Sequence, residues 1–202
     1  MKERDAYAVV SGWLREKGCD SVAKEVGMED FRLDVVGSRL YFAGKAMGRP
    51  DFEGHLVEVK SESGFEPIKA LDQIKEYASL VEGIPYDRRW VTENLFTFGR
   101  LFLYVAVPNL TEQPSSSLEF RDGRIGLLSV DMAEGEVREL VEAKPIWDEE
   151  STGHPYGPAG SVYKSHGLLV NSIDRNPILG KLYNGEDVWK EIKSRMKEYP
   201  RR

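Results

Sequence analysis

A single cysteine, Cys19, stands among 202 residues. That excludes a disulfide within one chain and any zinc site built on cysteine, and leaves Cys19 as an expected small buried residue. Long apolar runs are missing too: no stretch approaches the roughly 18 residues that cross a bilayer, so no membrane partner is expected. The first ten residues, Met1 to Val10, carry charges and no apolar stretch of the secretory kind, which makes the cytoplasm the expected compartment. Positive charge is not in excess, since 28 Lys and Arg face 34 Asp and Glu for a formal net charge of −6. Such a balance argues against coating nucleic acid by bulk charge, though not against a local basic groove. No internal repeat is visible. Gly180-Lys181 is followed by Leu182, so there is no phosphate-binding P-loop, and no Gly-x-Ser-x-Gly nucleophile elbow occurs. His55, His154 and His166 are dispersed without ligand spacing, which favours surface or capping roles over metal binding.

What the chain does contain is an ordinary globular mixture, 41% hydrophobic and 31% charged, at a length that suits one domain with an elaboration. From Glu3 to Lys17, Ala6, Val9, Val10, Trp13 and Leu14 recur at helical spacing, and Gly18 stands where a helix should stop. Two short strands, Phe31 to Val36 and Arg39 to Ala43, flank Gly37-Ser38 and predict a hairpin. Residues 44–54 read as a loop, and His55 to Lys60 as a third strand. Glu66 to Glu82 is the clearest helix, with Leu71, Ile74, Ala78 and Val81 as its buried stripe. Arg100 to Val107 and Ile125 to Val130 are near-continuous apolar strands, the pattern of a sheet covered on both faces, and Glu136 to Ala143 adds an edge strand. Gly and Pro residues crowd positions 148–161, and a last helix is expected from Glu186 to Tyr199. The order predicts an α/β core over residues 1–147, with a loop-rich C-terminal extension over 148–202 that ends in a helix. From Ser161 onward there are nine Lys or Arg against five Asp or Glu, so the extension is basic and the core strongly acidic.

Strand alternation sets the chemistry. Leu56, Glu58 and Lys60 point one way, Val57 and Val59 the other. Arg32 and Asp34 share a face opposite Phe31, Leu33 and Val35, and strand pairing brings Asp34 beside Glu58. A Glu-x-Lys tripeptide on an exposed strand is usually a solvated face. Here Glu58 sits between two valines, and Asp34 interrupts an apolar strand where Asp is disfavoured. Two converging carboxylates, with the backbone carbonyl of Val59 in reach, suit a hard divalent ion such as Mg²⁺ or Mn²⁺. Such an ion lowers the pKa of bound water and offsets charge on a phosphoryl oxygen, while Lys60 orients the water or stabilises the phosphorus centre. The helix that follows sets Lys69, Gln73 and Tyr77 at steps of four along one face.

The runs Arg32-Leu33-Asp34-Val35-Val36-Gly37, Val57-Glu58-Val59-Lys60-Ser61 and Ala70-Leu71-Asp72-Gln73-Ile74-Lys75-Glu76-Tyr77 together resemble the PD-(D/E)XK nuclease superfamily. Their likeness is to its RecB-like and archaeal resolvase-like branch, which carries a Gln-x-x-x-Tyr helix. Leu33 replaces the proline of the family's name. The resemblance implies a restriction-endonuclease-like core, a central mixed β-sheet flanked by helices. It implies Asp34 and Glu58 as metal ligands, Lys60 as the catalytic lysine, and Gln73 and Tyr77 as supporting residues. A further family Glu in the first helix corresponds best to Glu3, with Glu16 as the alternative. The implied activity is Mg²⁺-dependent hydrolysis of DNA phosphodiester bonds. Rival readings are a catalytically silent nucleic-acid-binding module of the same fold, or an interaction subunit of a repair or defence assembly working with a helicase. The fold type points towards a homodimer.

Overall fold

The structure is a computed structural model and describes residues 3–28, 31–43, 49–86, 98, 100–111, 114, 117–148 and 166–198. Helix α1 (Glu3–Glu16) leads into three antiparallel strands, β1 (Ser21–Met28), β2 (Phe31–Ala43) and β3 (Arg49–Val59). Helix α2 (Pro67–Tyr86) precedes β4 (Arg100–Pro108), which lies parallel to β3. After the short α3 (Ser117–Asp122) comes β5 (Gly126–Asp131), parallel to β4, and then the antiparallel edge strand β6 (Glu136–Val141). The sheet order is β1-β2-β3-β4-β5-β6, and the two-residue β7 (Trp147–Asp148) extends it by pairing with the start of β4. Helices α4 (His166–Arg175), α5 (Leu179–Leu182) and α6 (Gly185–Glu198) close the chain. The molecule is thus α/β, a mixed sheet flanked by helices with a C-terminal helix. Among the described residues no helix is long and apolar enough to cross a membrane.

Both faces of the sheet are covered. Helix α1 packs Ala6, Val10 and Leu14 into a cluster with Val35, Val57 and Val59. On the other face Ala70, Leu71 and Ile74 of α2 join Leu33, Leu56 and Leu103. The side chains of Ala78 and Val81, expected to extend that stripe, lie outside the described residues. Leu169 and Ile173 of α4 and Val188 and Ile192 of α6 belong to the α2-side cluster, so the C-terminal helices share a core with the sheet. Ser21 donates from its hydroxyl to the Leu182 carbonyl, and Tyr183 donates to Asp20 at 2.6 Å, fixing that segment beside β1. The crowded Gly and Pro positions 149–161 lie outside the described residues.

The expected hairpin at Gly37-Ser38 is absent: β2 runs unbroken through both residues. Gly37 is there for space, not for a turn. A Cβ at this position would sit 2.9 Å from Cys19 Sγ and 3.1 Å from a Leu14 methyl, so the end of α1 rests on bare backbone. The expected loop over 44–54 is corrected in its second half, residues 44–48 lying outside the described residues. Residues 49–54 are strand, paired with β2 from Ala43↔Arg49 onward. At Gly54 the Phe98 ring takes the volume of a side chain, 2.5 Å from where a Cβ would stand. Strand β1 and helices α3 and α4 were not expected from the sequence. Within β1, Glu25 has φ 51°, and the Glu25/Asp34 pair drops out of an otherwise continuous register. Alternation breaks at the same place: Leu33 packs on the α2 side, whereas Val35 packs on the α1 side.

Candidate active site

The site occupies a fork. Pairing of β2 with β3 runs as far as Val35↔Val57, while β3 continues along β4 through Val59↔Ala106 and the Lys60 N–H donates to the Ala106 carbonyl at 2.9 Å. Asp34 lies where β2 leaves β3. Its Oδ2 accepts the Val59 N–H at 2.9 Å, a side chain taking over where the ladder stops. Its Oδ1 accepts from the Tyr7 hydroxyl of α1 at 2.5 Å.

Glu58, one residue earlier on β3 than Val59, is only 4% exposed. Its Oε1 accepts from Lys60 Nζ at 2.7 Å and from Gln73 Nε2 at 2.8 Å. Its Oε2 is buried and has no hydrogen-bond partner among the described residues. Burial pushes the Glu58 carboxyl up to about 7, the Asp34 charge adds to the rise, and the Lys60 ammonium opposes it. Gln73 ties the group together: its carbonyl accepts from Lys60 Nζ at 2.5 Å, and its amide also donates to the Tyr77 hydroxyl at 2.6 Å. Tyr77 is buried, which raises its pKa. Glu58 and Lys60 thus face α2, as alternation along β3 predicts, and one α2 side chain bonds to both.

Glu3, at the start of α1, accepts the Ser61 N–H at 3.0 Å, and its charge adds to the rise at Glu58. Glu16 is exposed at the far end of the same helix, about 20 Å away at 1.5 Å per residue. The structure therefore brings Glu3, not Glu16, to the fork. Lys69 is not brought to it. Its side chain is 77% exposed and pairs with Glu66, just ahead of α2, at 2.7 Å, a solvated contact three residues away. Beside the fork, Glu25 pairs with Arg4 at 2.7 Å and Arg32 at 3.4 Å.

Among the described residues no group of three or more His, Cys, Asp or Glu is placed to hold a metal. The fork offers two carboxylates. A buried carboxylate oxygen without a donor, held beside a second carboxylate, is costly as it stands and suits a hard cation that keeps several of its waters. On that observation, Asp34 and Glu58 fit a divalent ion.

A second polar cluster lies further back on β3. His55 Nε2 is 3.1 Å from Glu53 Oε1, and Arg39 donates to Glu53 Oε2 at 3.0 Å across the β2–β3 pair. Burial raises the Glu53 carboxyl, but His55 and Arg39 outweigh it and hold it below its ordinary value. His55 is buried and stacked on Phe102, with ring centroids 4.9 Å apart, which corrects the surface role expected for it. His166 is exposed on α4 and meets Glu186 at 2.9 Å, and His154 lies outside the described residues. Cys19 is buried, and burial, with the Glu53 charge adding, pushes its thiol up to about 12.

Tyr7 is the site residue that sequence reasoning missed. It shares the buried face of α1 with Val10 and Leu14, at steps of three and four, where a phenol needs a hydrogen-bond partner. No protein-family model, no curated protein and no solved structure matches the chain.

Proposed function

We propose that this chain is a metal-dependent nuclease that hydrolyses phosphodiester bonds of DNA, on a restriction-endonuclease-like core of the PD-(D/E)XK type. The observation that carries the reading is the Glu58 carboxylate: buried, held at one oxygen by Lys60 and Gln73, and without a donor at the other, next to Asp34. Asp34 and Glu58 would hold the ion, and the Val59 carbonyl would be a further oxygen donor. A bound Mg²⁺ or Mn²⁺ supplies an activated water and offsets charge on a phosphoryl oxygen.

The chain's own residues do the rest. Lys60, aimed by Gln73 and Glu58, stands where a fixed positive charge stabilises the negative charge that grows on the phosphorus oxygens. The incoming water oxygen bonds to phosphorus as the bond to the leaving sugar oxygen breaks. Gln73 fixes the spacing of Glu58 and Lys60, and Tyr77 fixes Gln73. Arg4 and Arg32, two cations sharing one Glu25, suit phosphate contacts beside the fork.

The test is a cleavage panel of single-stranded, duplex and branched DNA and of RNA, with Mg²⁺ and with Mn²⁺, run beside Lys60→Ala. Cleavage of DNA by the wild type and its loss in the variant support the reading. Absence of cleavage from every substrate with both ions overturns it in its enzymatic form.

A further inference from the structure

Helix α1 lies on the face of the sheet opposite α2, yet two of its residues, one helical turn apart, bond at the fork. Glu3 accepts the Ser61 N–H, and Tyr7 donates to Asp34. Tyr7 is 5% exposed within the cluster that holds Val10 and Val35. The other buried hydroxyl of α1, on Ser11, turns back to the Tyr7 carbonyl of its own helix. Tyr7 instead reaches across to another element, and to one particular atom, Asp34 Oδ1.

At this position β2 has left the β3 ladder and its pair with Glu25 has dropped out, so no strand pairing fixes the Asp34 carboxylate. Two donors fix it, the Tyr7 hydroxyl on one oxygen and the Val59 N–H on the other. A carboxylate oxygen has two lone pairs, so each oxygen keeps one acceptor position for a cation. Groups that hydrogen-bond a metal ligand set its orientation, and their loss typically weakens metal binding about 10- to 100-fold.

We propose that Tyr7 is the positioning residue of the cation site, its hydroxyl holding the Asp34 carboxylate ready to bind a divalent ion. The inference rests on Asp34 being a ligand, and the experiment separates the two claims. Tyr7→Phe keeps the buried ring and removes one oxygen. Mn²⁺ is titrated calorimetrically into the metal-free wild type, Tyr7→Phe, Ser11→Ala and Asp34→Asn, and the metal-free melting temperature of each is recorded.

The expected result is tight binding by the wild type and by Ser11→Ala, about 10- to 100-fold weaker binding by Tyr7→Phe at a melting temperature within a few degrees of wild type, and none by Asp34→Asn. In cleavage assays Tyr7→Phe should then need more Mn²⁺ for half-maximal rate and regain most of the rate at saturation. Wild-type affinity in Tyr7→Phe, with binding lost in Asp34→Asn, overturns the role of Tyr7 and leaves the cation site standing. Equal weakening in Ser11→Ala also overturns it, because packing of α1 would then be the cause. No binding by the wild type, or undiminished binding by Asp34→Asn, overturns both.

Discussion

At Glu58, burial and the Asp34 charge both oppose ionisation, and this has a measurable consequence in the metal-free chain. A carboxyl whose pKa is raised by folding holds its proton in the folded state at pH values where the unfolded chain has released it. Stability therefore falls as pH rises from the ordinary value near 4.5 through about 7. Glu58→Gln lacks this dependence. Denaturant melts without metal should show the wild type losing stability relative to Glu58→Gln across that window, by on the order of 3 kcal/mol in all. A constant difference between the two chains would show that Glu58 is not held in this way. Gln73→Ala, which removes one donor and one acceptor from the Glu58–Lys60 pair together with the bond to Tyr77, should slow cleavage by at least ~10²-fold with little change in melting temperature, measured at saturating Mg²⁺. The grouping of Glu58, Lys60, Gln73 and Tyr77 was legible in the sequence because strand alternation and helix spacing fix their faces locally, whereas alternation breaks around Asp34, with Leu33 and Val35 on opposite faces. Tyr7 was not, because its partner is 27 residues away and follows from how α1 crosses the sheet.

At the scale of elements, small residues were misread where packing rather than turning required them. Gly37 looks like punctuation in the sequence, yet it is a mid-strand residue on which Leu14 and Cys19 rest. Gly37→Ala should push the end of α1 off β2 and destabilise the chain by about 1–3 kcal/mol, read as a lower denaturant midpoint at unchanged slope. An unchanged midpoint would contradict that packing role. Strand β1 was missed for the opposite reason. Its centre, Lys24-Glu25, is charged and exposed, and φ 51° at Glu25 disturbs the period-two pattern. The same irregularity releases Asp34 from the ladder, so the feature that hid the strand is part of what shapes the fork. Helix α2 and strands β4 and β5 were legible because their apolar residues are numerous and regularly spaced.

For the molecule as a whole, the C-terminal helices bear on the core more than their composition suggests. Leu169, Ile173, Ile178, Leu179, Val188 and Ile192 are all buried in the α2-side cluster. Burial of six such side chains, at roughly 1.5–3 kcal/mol each, is about as large as the whole stability of a typical domain. A chain ending at Asp148 should therefore fail to give a cooperative thermal transition, which circular dichroism would show directly. A two-state transition near the full-length melting temperature would contradict that dependence. The sequence hinted at little of this, because glycines and prolines before residue 161 suggest a separate appendage and the basic excess suggests a surface arm. Part of that basic charge is engaged locally, Lys190 with Asp187 and Arg195 with Glu191, each pair within one turn of α6. With a net charge of −6, binding of DNA should be weak without a divalent ion and should fall steeply with added salt.

The most direct test of the central claim is single-turnover cleavage of a DNA panel with Mg²⁺ or Mn²⁺, comparing the wild type with Asp34→Asn, Glu58→Gln and Lys60→Ala. The expected result is metal-dependent cleavage by the wild type and a loss of at least ~10²-fold in each variant, all four chains melting as folded proteins. Cleavage that persists undiminished in the three variants, or that needs no divalent ion, would contradict it.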